Sequence, residues 1–178
     1  MKFSIIVACD ELNGGIGYDG KIPWRIPEDT KIFRKLTENN IIVMGRLTWD
    51  SLPIKPLPKR KNIIITSHPE LYNNKLNENL SEVETYDSIE SYMKKNEDSQ
   101  EDNQTKEIFI IGGQQLYTEA LKHPMCNKIY LSLIKNIEEY KFDRYFPLEE
   151  ISKNNFIETE QTIYKDFIYK ILCKNNKI

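Results

Sequence analysis

The amino-acid sequence predicts a single α/β domain that contains one mostly parallel sheet and ends in an antiparallel hairpin. Along most of the chain, short β-branched runs alternate with amphipathic helical stretches, and this alternation favours right-handed crossovers between parallel strands. Near the C-terminus, two alternating apolar and polar runs flank a short turn, a pattern typical of a β-hairpin. The sheet is therefore expected to combine parallel strands with one terminal antiparallel pair.

The predicted strands are short apolar runs bounded by polar residues, glycine or proline. Their β-branched composition is typical of strands that are buried on both faces. They comprise residues 5–7, 41–44, 63–66, 108–111 and 129–133, and the hairpin comprises residues 156–173 around a turn at 164–166.

Two helices are predicted between these strands. In each helix, apolar residues recur at spacings of three and four, so that one side of the helix faces the core. The first covers residues 28–39 and follows Pro27, which suits the start of a helix, and the second covers residues 113–122.

Residues 1–178 are predicted to form one domain that carries two polar surface insertions. A chain of 178 residues is the size of one typical domain, and no internal repeat divides it. Residues 71–80 are rich in asparagine, and residues 94–106 contain no apolar side chain. Neither stretch is expected to bury enough surface to offset the entropy of ordering it.

The charge balance and the cysteine pattern exclude several classes of function. With 25 basic and 27 acidic residues, the net charge of -2 gives no basic surface for nucleic acid or anionic lipid. The apolar run at residues 5–9 is too short for a membrane span or a signal peptide. Three distant cysteines and two isolated histidines predict no disulfide framework and no metal site, and they favour a reducing cytoplasm.

The loop after the first strand is the first candidate for function. Residues 14–20 include four glycines, which predict a mobile or sharply turned segment. A plain surface connection is the alternative. Ligands of open α/β sheets bind at the carboxyl ends of the strands, where this loop lies.

Asp29 is the second candidate, because it lies in the first turn of the predicted helix. Taken alone, it is more typical of a helix start, where the helix dipole favours a carboxylate. However, Trp24, Ile26 and Phe33 are near it in sequence and could form an apolar wall that raises its pKa. A lone acid in such a cleft is either a proton donor or a cation binder.

Three further strand ends contain residues that suit a phosphate-bearing ligand. Backbone N–H groups at a helix start bind phosphate, and adjacent glycines let the backbone approach a ligand closely, although the GxGxxG spacing is absent. Each feature alone is also common turn chemistry. The residues concerned are Arg46 and Thr48, Thr66 and Ser67, and Gly112 and Gly113.

Taken together, these segments resemble the dihydrofolate reductase family. The motifs IVAC, GIGxxGKIPW, PEDxxxF, VMGRxTWDS, LPxRKNIIITS, IIGGxxLY and FP occur in the order of the family and cover nearly the whole chain except the insertions. The resemblance implies an eight-stranded α/β fold and the NADPH-dependent reduction of 7,8-dihydrofolate to tetrahydrofolate for one-carbon metabolism. It also implies antifolates such as methotrexate or trimethoprim as ligands. A monomer is expected, since no extended apolar stripe remains unassigned.

The resemblance implies a role for each residue of the folate pocket. Asp29 would hold the pterin and support protonation of N5, and Trp24 would order the water between them. Ser132 replaces a threonine that hydrogen-bonds the acid, and Arg60 would pair with the α-carboxylate of the substrate's glutamate. The pocket would be lined by Val7, Ala8, Phe33, Leu52, Leu57 and Ile111, with carbonyl groups of Val7 and Ile111 facing the pterin amino group.

The resemblance also implies a cofactor site. Residues 16–22 would form the loop that closes over nicotinamide. Tyr117 would lie beside the nicotinamide ring and join Asp29, Trp24 and Ser132 as a catalytic residue. The cofactor-binding residues would be Ala8, Ile16, Gly17, Gly20, Gly45, Arg46, Leu47, Thr48, Thr66, Ser67, His68, Ile111, Gly112, Gly113, Gln114, Gln115, Leu116 and Tyr117.

Some positions depart from the pattern of the family. Leu47 stands where a cation often follows Arg46. His68 is a candidate to compensate for it, although an exposed histidine in a turn or at a helix start is the more common interpretation. Thr30 replaces a bulky apolar residue beside Asp29, and Gln114 replaces a smaller one. These changes predict altered affinity and inhibitor sensitivity without the loss of a chemical role.

Two other interpretations remain open at this point. A related reductase of pyrimidine or riboflavin biosynthesis would keep the glycine pair but would not need Trp24, Asp29 and Arg60 together. A catalytically inert binding protein would tolerate the loss of the acid, so the presence of Asp29 argues against it.

Overall fold

The computed structural model describes residues 1–73, 82–97, 106–135 and 139–175, which form ten strands and six helices. The strands are β1 (Phe3–Asp10), β2 (Gly15–Gly17), β3 (Ile41–Gly45), β4 (Lys61–Ile65), β5 (Val83–Tyr86), β6 (Ile108–Ile110), β7 (Cys126–Ile134), β8 (Arg144–Tyr145), β9 (Phe156–Ile163) and β10 (Phe167–Lys174). The helices are α1 (Pro27–Thr37), α2 (Arg46–Ser51), α3 (Pro69–Asn73), α4 (Ile89–Glu97), α5 (Gln114–Lys122) and α6 (Glu149–Lys153).

Eight of the strands form one sheet in the order β5-β4-β3-β6-β1-β7-β10-β9. Neighbouring strands from β5 to β7 are parallel, whereas β10 runs antiparallel to both β7 and β9. The mostly parallel sheet and the terminal hairpin predicted from the sequence are therefore confirmed. The short strands β2 and β8 pair with each other outside this sheet.

Alternate residues of the strands form two hydrophobic cores, one on each face of the sheet. Along β1, Ile5 and Val7 belong to the first core, and Ile6 belongs to the second. Helices α4 and α5 cover the first core, while α1 and α2 cover the second through residues such as Phe33 and Trp49. A strand with apolar residues on both faces must be covered on both sides, which explains the continuous apolar runs of the sequence.

Two helices extend into the predicted polar insertions. Residues 71–73 belong to α3 and residues 94–97 belong to α4. The second helix is anchored by the buried Tyr92 and Met93, and the next turn buries Asn96, whose side-chain amide donates to the Tyr92 carbonyl. A polar residue can therefore extend a helix that apolar neighbours have already fixed. Residues 74–80 and 98–105 lie outside the described part of the chain.

Helix α1 begins and ends close to the predicted positions. Pro27 is its first residue, and the helix ends at Thr37, where Glu38 becomes extended and Asn39 adopts a φ of 63°. Within the residues that the structure describes, no helix is long and apolar enough to cross a membrane.

Candidate active site

The carboxyl ends of four parallel strands meet at one edge of the sheet. Strand β1 lies between β6 and β7, and β3 lies between β4 and β6. The glycine-containing loop follows β1, α2 follows β3, and the glycine pair follows β6. The topology thus brings the segments that the sequence singled out to one edge, where such sheets bind ligands.

Asp29 faces a row of residues that crosses three strands on the α1 side of the sheet. The register places Ala8 of β1 opposite Ser132 of β7, and Ser132 opposite Tyr169 of β10. Helix α1 packs against the same face through Phe33. The Ser132 hydroxyl lies close enough to the Asp29 carboxylate to act on its pKa as a hydrogen-bond donor. The two residues that the resemblance connected are therefore neighbours.

The environment of Asp29 favours its protonated form. Burial raises the pKa of Asp29 above its ordinary value, and the hydrogen bond from Ser132 lowers it by a smaller amount. Because burial disfavours the charged carboxylate, Asp29 keeps its proton to a higher pH than an exposed aspartate does. A half-buried acid with a raised pKa is a candidate proton donor.

Trp24 is held by aromatic residues that the sequence did not single out. Its ring lies edge-on to Tyr140 at 5.9 Å and to Phe142 at 6.1 Å between centroids. Edge-to-face pairs of this kind stabilise the position of a large ring. The cluster therefore positions Trp24 where the loop after β1 leads into α1.

Arg60 is buried and oriented by contacts with α1. Its exposed fraction is 7%. Its Nε donates to Thr37 Oγ1 at 2.9 Å, its Nη1 donates to the Pro58 carbonyl at 2.6 Å, and its guanidinium lies 5.9 Å from the centre of the Phe33 ring. A guanidinium has five N–H donors, so these bonds leave others for a carboxylate.

All but one of the residues expected to line a folate pocket lie on the same side of the sheet, and the side chain of Val7 lies on the other side. Four of these side chains are partly exposed and pack against the second core, so they form an apolar wall beside Asp29 and Arg60. These residues are Phe33, Leu52, Leu57 and Ile111, while Ala8 is half-buried and Val7 is buried on the opposite face.

The glycines at the end of β3 and after β6 bring two helix starts together. Gly45 N donates to the Gly112 carbonyl at 2.7 Å, and the peptide between Gly112 and Gly113 is cis. A Cβ on Gly113 would lie 3.2 Å from Thr48 Oγ1. The absence of side chains here lets the starts of α2 and α5 pack closely together. Backbone groups at two adjacent helix starts suit the close approach of a phosphate group.

Arg46 supplies an exposed cation beside this surface. Its Nη1 lies 3.2 Å from Asp50 Oδ2, so a carboxylate orients the guanidinium while it remains open to solvent. Leu47 is 60% exposed and brings no charge. At the start of α2, Arg46 is therefore the residue that carries a positive charge, and Leu47 adds none.

Of the residues after β4, one stabilises the turn and two are exposed to solvent. Thr66 is buried, and its hydroxyl accepts a hydrogen bond from His68 N at 3.3 Å. Ser67 and His68 are exposed, and His68 Nδ1 lies 3.4 Å from Glu70 Oε1. The Thr66 side chain is thus engaged in the turn, Ser67 is exposed, and the exposed His68 has Glu70 as a neighbour.

Tyr117 is buried in the first core next to the glycine pair. Its hydroxyl donates to the Ile6 carbonyl at 2.9 Å, and burial raises the pKa of Tyr117. A Cβ on Gly112 would lie 3.1 Å from the Tyr117 ring. Of its neighbours on α5, Leu116 is buried, whereas the Gln115 amide donates to Glu119 on the exposed side.

The loop after β1 is tied to the segment that contains β8. Asp143 N donates to the Gly17 carbonyl at 3.0 Å, and Asp143 Oδ2 accepts from Asp19 N at 3.1 Å. A Cβ on Gly15 would overlap the Phe142 ring, so only glycine fits there. Ile16 packs partly buried against the first core, and Gly20 is exposed at the tip of the loop.

Gln114 connects the same segment to the start of α5. Its Oε1 accepts a hydrogen bond from Tyr145 N at 2.7 Å. Since β8 pairs with β2, this bond joins the loop after β1 to the helix that follows the glycine pair. The larger side chain noted in the sequence therefore has a structural partner.

Sequence reasoning missed the residues that support the site from elsewhere in the chain. The aromatic-rich stretch at residues 140–146 was a usable signal, because aromatic residues in a loop need a packing partner. Thr37 gave no such signal, since a threonine at a helix end is common. The missed residues are Thr37, Tyr140, Phe142, Asp143 and Tyr145.

Comparisons with known proteins identify the same family. The chain matches the sequence profile described as dihydrofolate reductase over residues 2–171. It is 34% identical over 188 residues to the dihydrofolate reductase of Aedes albopictus, which covers 92% of this chain and 97% of the relative. It is 42% identical over 148 residues to that of Buchnera aphidicola, which covers 83% of this chain and 80% of the relative.

A solved structure agrees with the sequence comparisons. The dihydrofolate reductase from Enterococcus faecalis, complexed with NADP(H) and RAB-propyl, has a TM-score of 0.76 and 26% sequence identity, and the match covers 98% of this chain and 97% of that one. Together with the family profile, this similarity shows that the chain belongs to the dihydrofolate reductase family and is an NADPH-dependent oxidoreductase that reduces dihydrofolate.

Proposed function

We propose that Asp29 is the acid that supports protonation of pterin N5 while a hydride reaches C6, giving 5,6,7,8-tetrahydrofolate. The observation that carries this proposal is the burial of Asp29 with its hydrogen bond to Ser132, which leaves a carboxyl group of raised pKa on the apolar side of the sheet. Holding a proton beside N5 stabilises the positive charge that makes C6 a better hydride acceptor.

The cofactor residues fit NADPH. The glycine backbone of residues 45, 112 and 113, at the starts of α2 and α5, suits its phosphates, and Arg46 with Ser67 supplies a cation and a hydroxyl for them. Bound NADPH supplies the hydride for the reaction. Tyr117 lies behind the glycine pair, where its hydroxyl donates a hydrogen bond to the Ile6 carbonyl. Its ring would exclude water from this end of the site.

On the substrate side, the structure supports three further roles. Arg60, oriented by Thr37 and Pro58, would bind the α-carboxylate of the glutamate, and Phe33 would pack beside the benzoyl ring. Trp24, held by Tyr140 and Phe142, would order the water that connects Asp29 to N5. These contacts orient the substrate and limit its exposure to solvent.

The loop after β1 is proposed to close over the nicotinamide, and Gln114 is expected to assist that closure. Replacing Gln114 with alanine removes the bond to Tyr145 N, and one hydrogen bond contributes about 0.5–1.5 kcal/mol. The rate of hydride transfer, measured by the loss of NADPH absorbance in a single turnover, should fall by about twofold to tenfold.

Tyr145→Phe is the matched control for this prediction. It removes a hydrogen bond between the Tyr145 hydroxyl and the Phe142 carbonyl, which lies within the segment and does not reach α5. If Gln114→Ala reduces hydride transfer no more than Tyr145→Phe does, the bond from Gln114 has no role in closure.

The identity of the substrate is tested by assaying the substrates of the two reductase interpretations side by side. The purified protein is mixed with NADPH and either 7,8-dihydrofolate or a ribosylaminopyrimidine. Oxidation of NADPH with dihydrofolate that methotrexate blocks supports the proposal. Oxidation with the ribosylaminopyrimidine alone would overturn it.

We also propose that the enzyme acts as a monomer in a reducing cytoplasm. Cys9 and Cys126 are buried without disulfide partners, and Cys173 is a half-buried free thiol. Proteins of oxidising compartments more often pair their cysteines.

A further inference from the structure

A cavity of about 360 Å³ lies between the start of α1 and the turn of the β9–β10 hairpin. It is open to solvent, because two of the side chains in its wall, Glu28 and Lys165, are exposed. Glu28 directly precedes Asp29 on α1, so the cavity begins one residue from the proposed acid. The cavity, called here the hairpin cavity, is lined by Glu28, Tyr164, Lys165, Asp166 and Phe167.

Strand β10 leads from the hairpin cavity to the surroundings of Asp29. Phe167 and Tyr169 are two residues apart on β10, so they lie on the same face of the sheet, about 7 Å apart along the strand. Tyr169 packs against the second core and is paired with Ser132, the neighbour of Asp29. Because directly opposite residues have Cβ atoms about 4.5–5.5 Å apart, Tyr169 connects the cavity to the surroundings of Ser132 and Asp29.

The Tyr169 hydroxyl is available to water. Among the residues that the structure describes, none forms a hydrogen bond with this hydroxyl, and the side chain is partly exposed. In the same part of the chain, the fully buried side-chain atoms without a partner are Asp10 Oδ2 and the Tyr92 hydroxyl, so solvent reaches the hydroxyl of Tyr169. A phenol hydroxyl both donates and accepts hydrogen bonds, and it can therefore link two water molecules.

The titratable groups around Tyr169 keep its phenol neutral. The groups that act on its charge are Asp29 of α1, Tyr130 of β7, Glu160 of β9 and Tyr164 of the hairpin turn. Burial, together with these groups, raises the pKa of Tyr169. Because the phenolate does not form near neutral pH, Tyr169 passes on a proton only if it receives another one at the same time.

Asp29 needs a route for protons that stays open while the substrate is bound. Each turnover consumes one proton from solvent, because dihydrofolate gains a hydride at C6 and a proton at N5. Bound substrate and a closed loop limit the entry of water from the pocket side. Tyr169 lies on the side of Ser132 that faces away from Ala8, a predicted pocket residue. A proton that passes Tyr169 therefore reaches Asp29 without crossing the pocket.

We propose that Tyr169 relays protons from water in the hairpin cavity to Asp29. This inference rests on the proposed function, because it takes Asp29 as the acid that serves N5. When Asp29 has lost its proton, the Tyr169 O–H bond breaks and the proton passes through one water molecule to the carboxylate. At the same time, the phenol oxygen bonds a proton from a hydronium ion in the cavity, which leaves water. Tyr169 acts through Asp29 and contacts neither substrate nor cofactor.

Proton uptake in a single turnover tests the relay. The complex of the enzyme with NADPH is mixed with dihydrofolate in weakly buffered solution. A pH indicator dye reports proton uptake, and the absorbance of NADPH reports hydride transfer. The two signals should coincide in the wild type. In Tyr169→Phe, proton uptake should lag and slow by about tenfold, which is part of the hundredfold or more that a positioned acid–base group supplies.

Chemical rescue gives a second readout that a structural role would not produce. Imidazole is a small proton donor that can enter the open cavity. Its addition at alkaline pH, where protons are scarce, should raise the steady-state kcat of Tyr169→Phe and leave that of the wild type unchanged. The Tm of the variant and its affinity for methotrexate should match those of the wild type, because the removed hydroxyl bonds no described residue.

Tyr130→Phe is the matched control, since it removes a nearby phenol hydroxyl on β7 that does not line the hairpin cavity. This variant should keep the wild-type rate of proton uptake. Uptake in Tyr169→Phe as fast as in the wild type, or equal slowing in Tyr130→Phe, would overturn the proposal. Slow uptake together with a kcat that imidazole does not restore would also overturn it.

The failure of this inference is distinguishable from failure of the proposed function. Oxidation of NADPH with dihydrofolate by the wild type reports the function and does not depend on Tyr169. In the Asp29→Asn background, Tyr169→Phe should slow single-turnover hydride transfer no further, since the relay acts through the acid. An additional loss in the double variant would show that Tyr169 acts by another route, and it would overturn the relay in an active enzyme.

Discussion

The Asp29→Asn variant is expected to lose at least about a hundredfold in kcat, the scale of a lost acid–base contribution. Asparagine keeps the shape of the side chain and can still bond Ser132, but it cannot hold the proton that N5 needs. The measurement is the steady-state oxidation of NADPH with dihydrofolate at pH 7. Glu28→Gln is the matched control, because it removes an exposed carboxylate next to Asp29 on the same helix.

The same substitution is expected to make the protein more stable at neutral pH. Burial raises the pKa of Asp29 in the folded state, so folding favours the neutral acid and becomes less favourable as pH rises through that pKa. Asparagine is neutral at every pH. Thermal unfolding should therefore show a higher Tm for Asp29→Asn than for the wild type at pH 7, and the difference should shrink below the ordinary pKa of aspartate.

A gain in stability with a loss of activity is the pattern of a functional group held in an unfavourable environment. Glu28→Gln should change neither quantity substantially. If Asp29→Asn lowered the Tm at pH 7, Asp29 would be a structural residue, and its burial would not indicate catalysis.

Ser132 is expected to set the pH range of the reaction. Its hydrogen bond lowers the pKa of Asp29, so Ser132→Ala should raise that pKa further. Activity falls as Asp29 loses its proton, and the alkaline fall in kcat should move to higher pH in the variant. If the pH profile of kcat does not move in Ser132→Ala, Ser132 does not influence the titration of Asp29.

The Arg60→Gln variant is expected to have the second large effect, on substrate affinity. A charge-assisted hydrogen bond contributes about 1.5–3 kcal/mol, so KM for dihydrofolate should rise by about tenfold to a hundredfold, with little change in kcat. Dihydropteroate, which lacks the glutamate, is the matched substrate. Its KM should be similar in the wild type and the variant.

Arg60 also supports the fold, and this contribution must be separated from binding. Its bonds to Thr37 and Pro58 are lost in Arg60→Gln, so the Tm should fall along with the affinity. Arg60→Lys keeps the charge but loses bidentate binding, and it should show an intermediate KM for dihydrofolate. An equal rise in KM for dihydropteroate would show that Arg60 shapes the pocket and does not bind the glutamate.

The sequence predicted the central sheet because its strands are apolar on both faces. β1, β3, β4, β6 and β7 carry continuous apolar runs, and the terminal hairpin alternates clearly around its turn. β5 was missed because only two of its four residues are buried. β2 and β8 were missed because they are two or three residues long and consist largely of glycine or exposed side chains.

The parts of the candidate site that lie within one short segment of the sequence were predictable from that segment. Asp29 lies near Trp24 in sequence, and the glycine pair directly precedes α5. The partners that complete the site come from distant segments: Thr37 orients Arg60, and residues 140–145 hold Trp24 and the loop after β1. These contacts depend on tertiary packing, which local sequence patterns do not encode.

The central claim is that Asp29 holds the proton for N5, and single-turnover hydride transfer tests it most directly. The loss of NADPH absorbance is followed after rapid mixing with dihydrofolate across a pH series, in the wild type and in Asp29→Asn. At pH 7 the variant should be slower by at least about a hundredfold, and the difference should narrow as pH falls, because solvent then protonates the substrate. A variant that transfers hydride at nearly the wild-type rate at pH 7 would contradict the account.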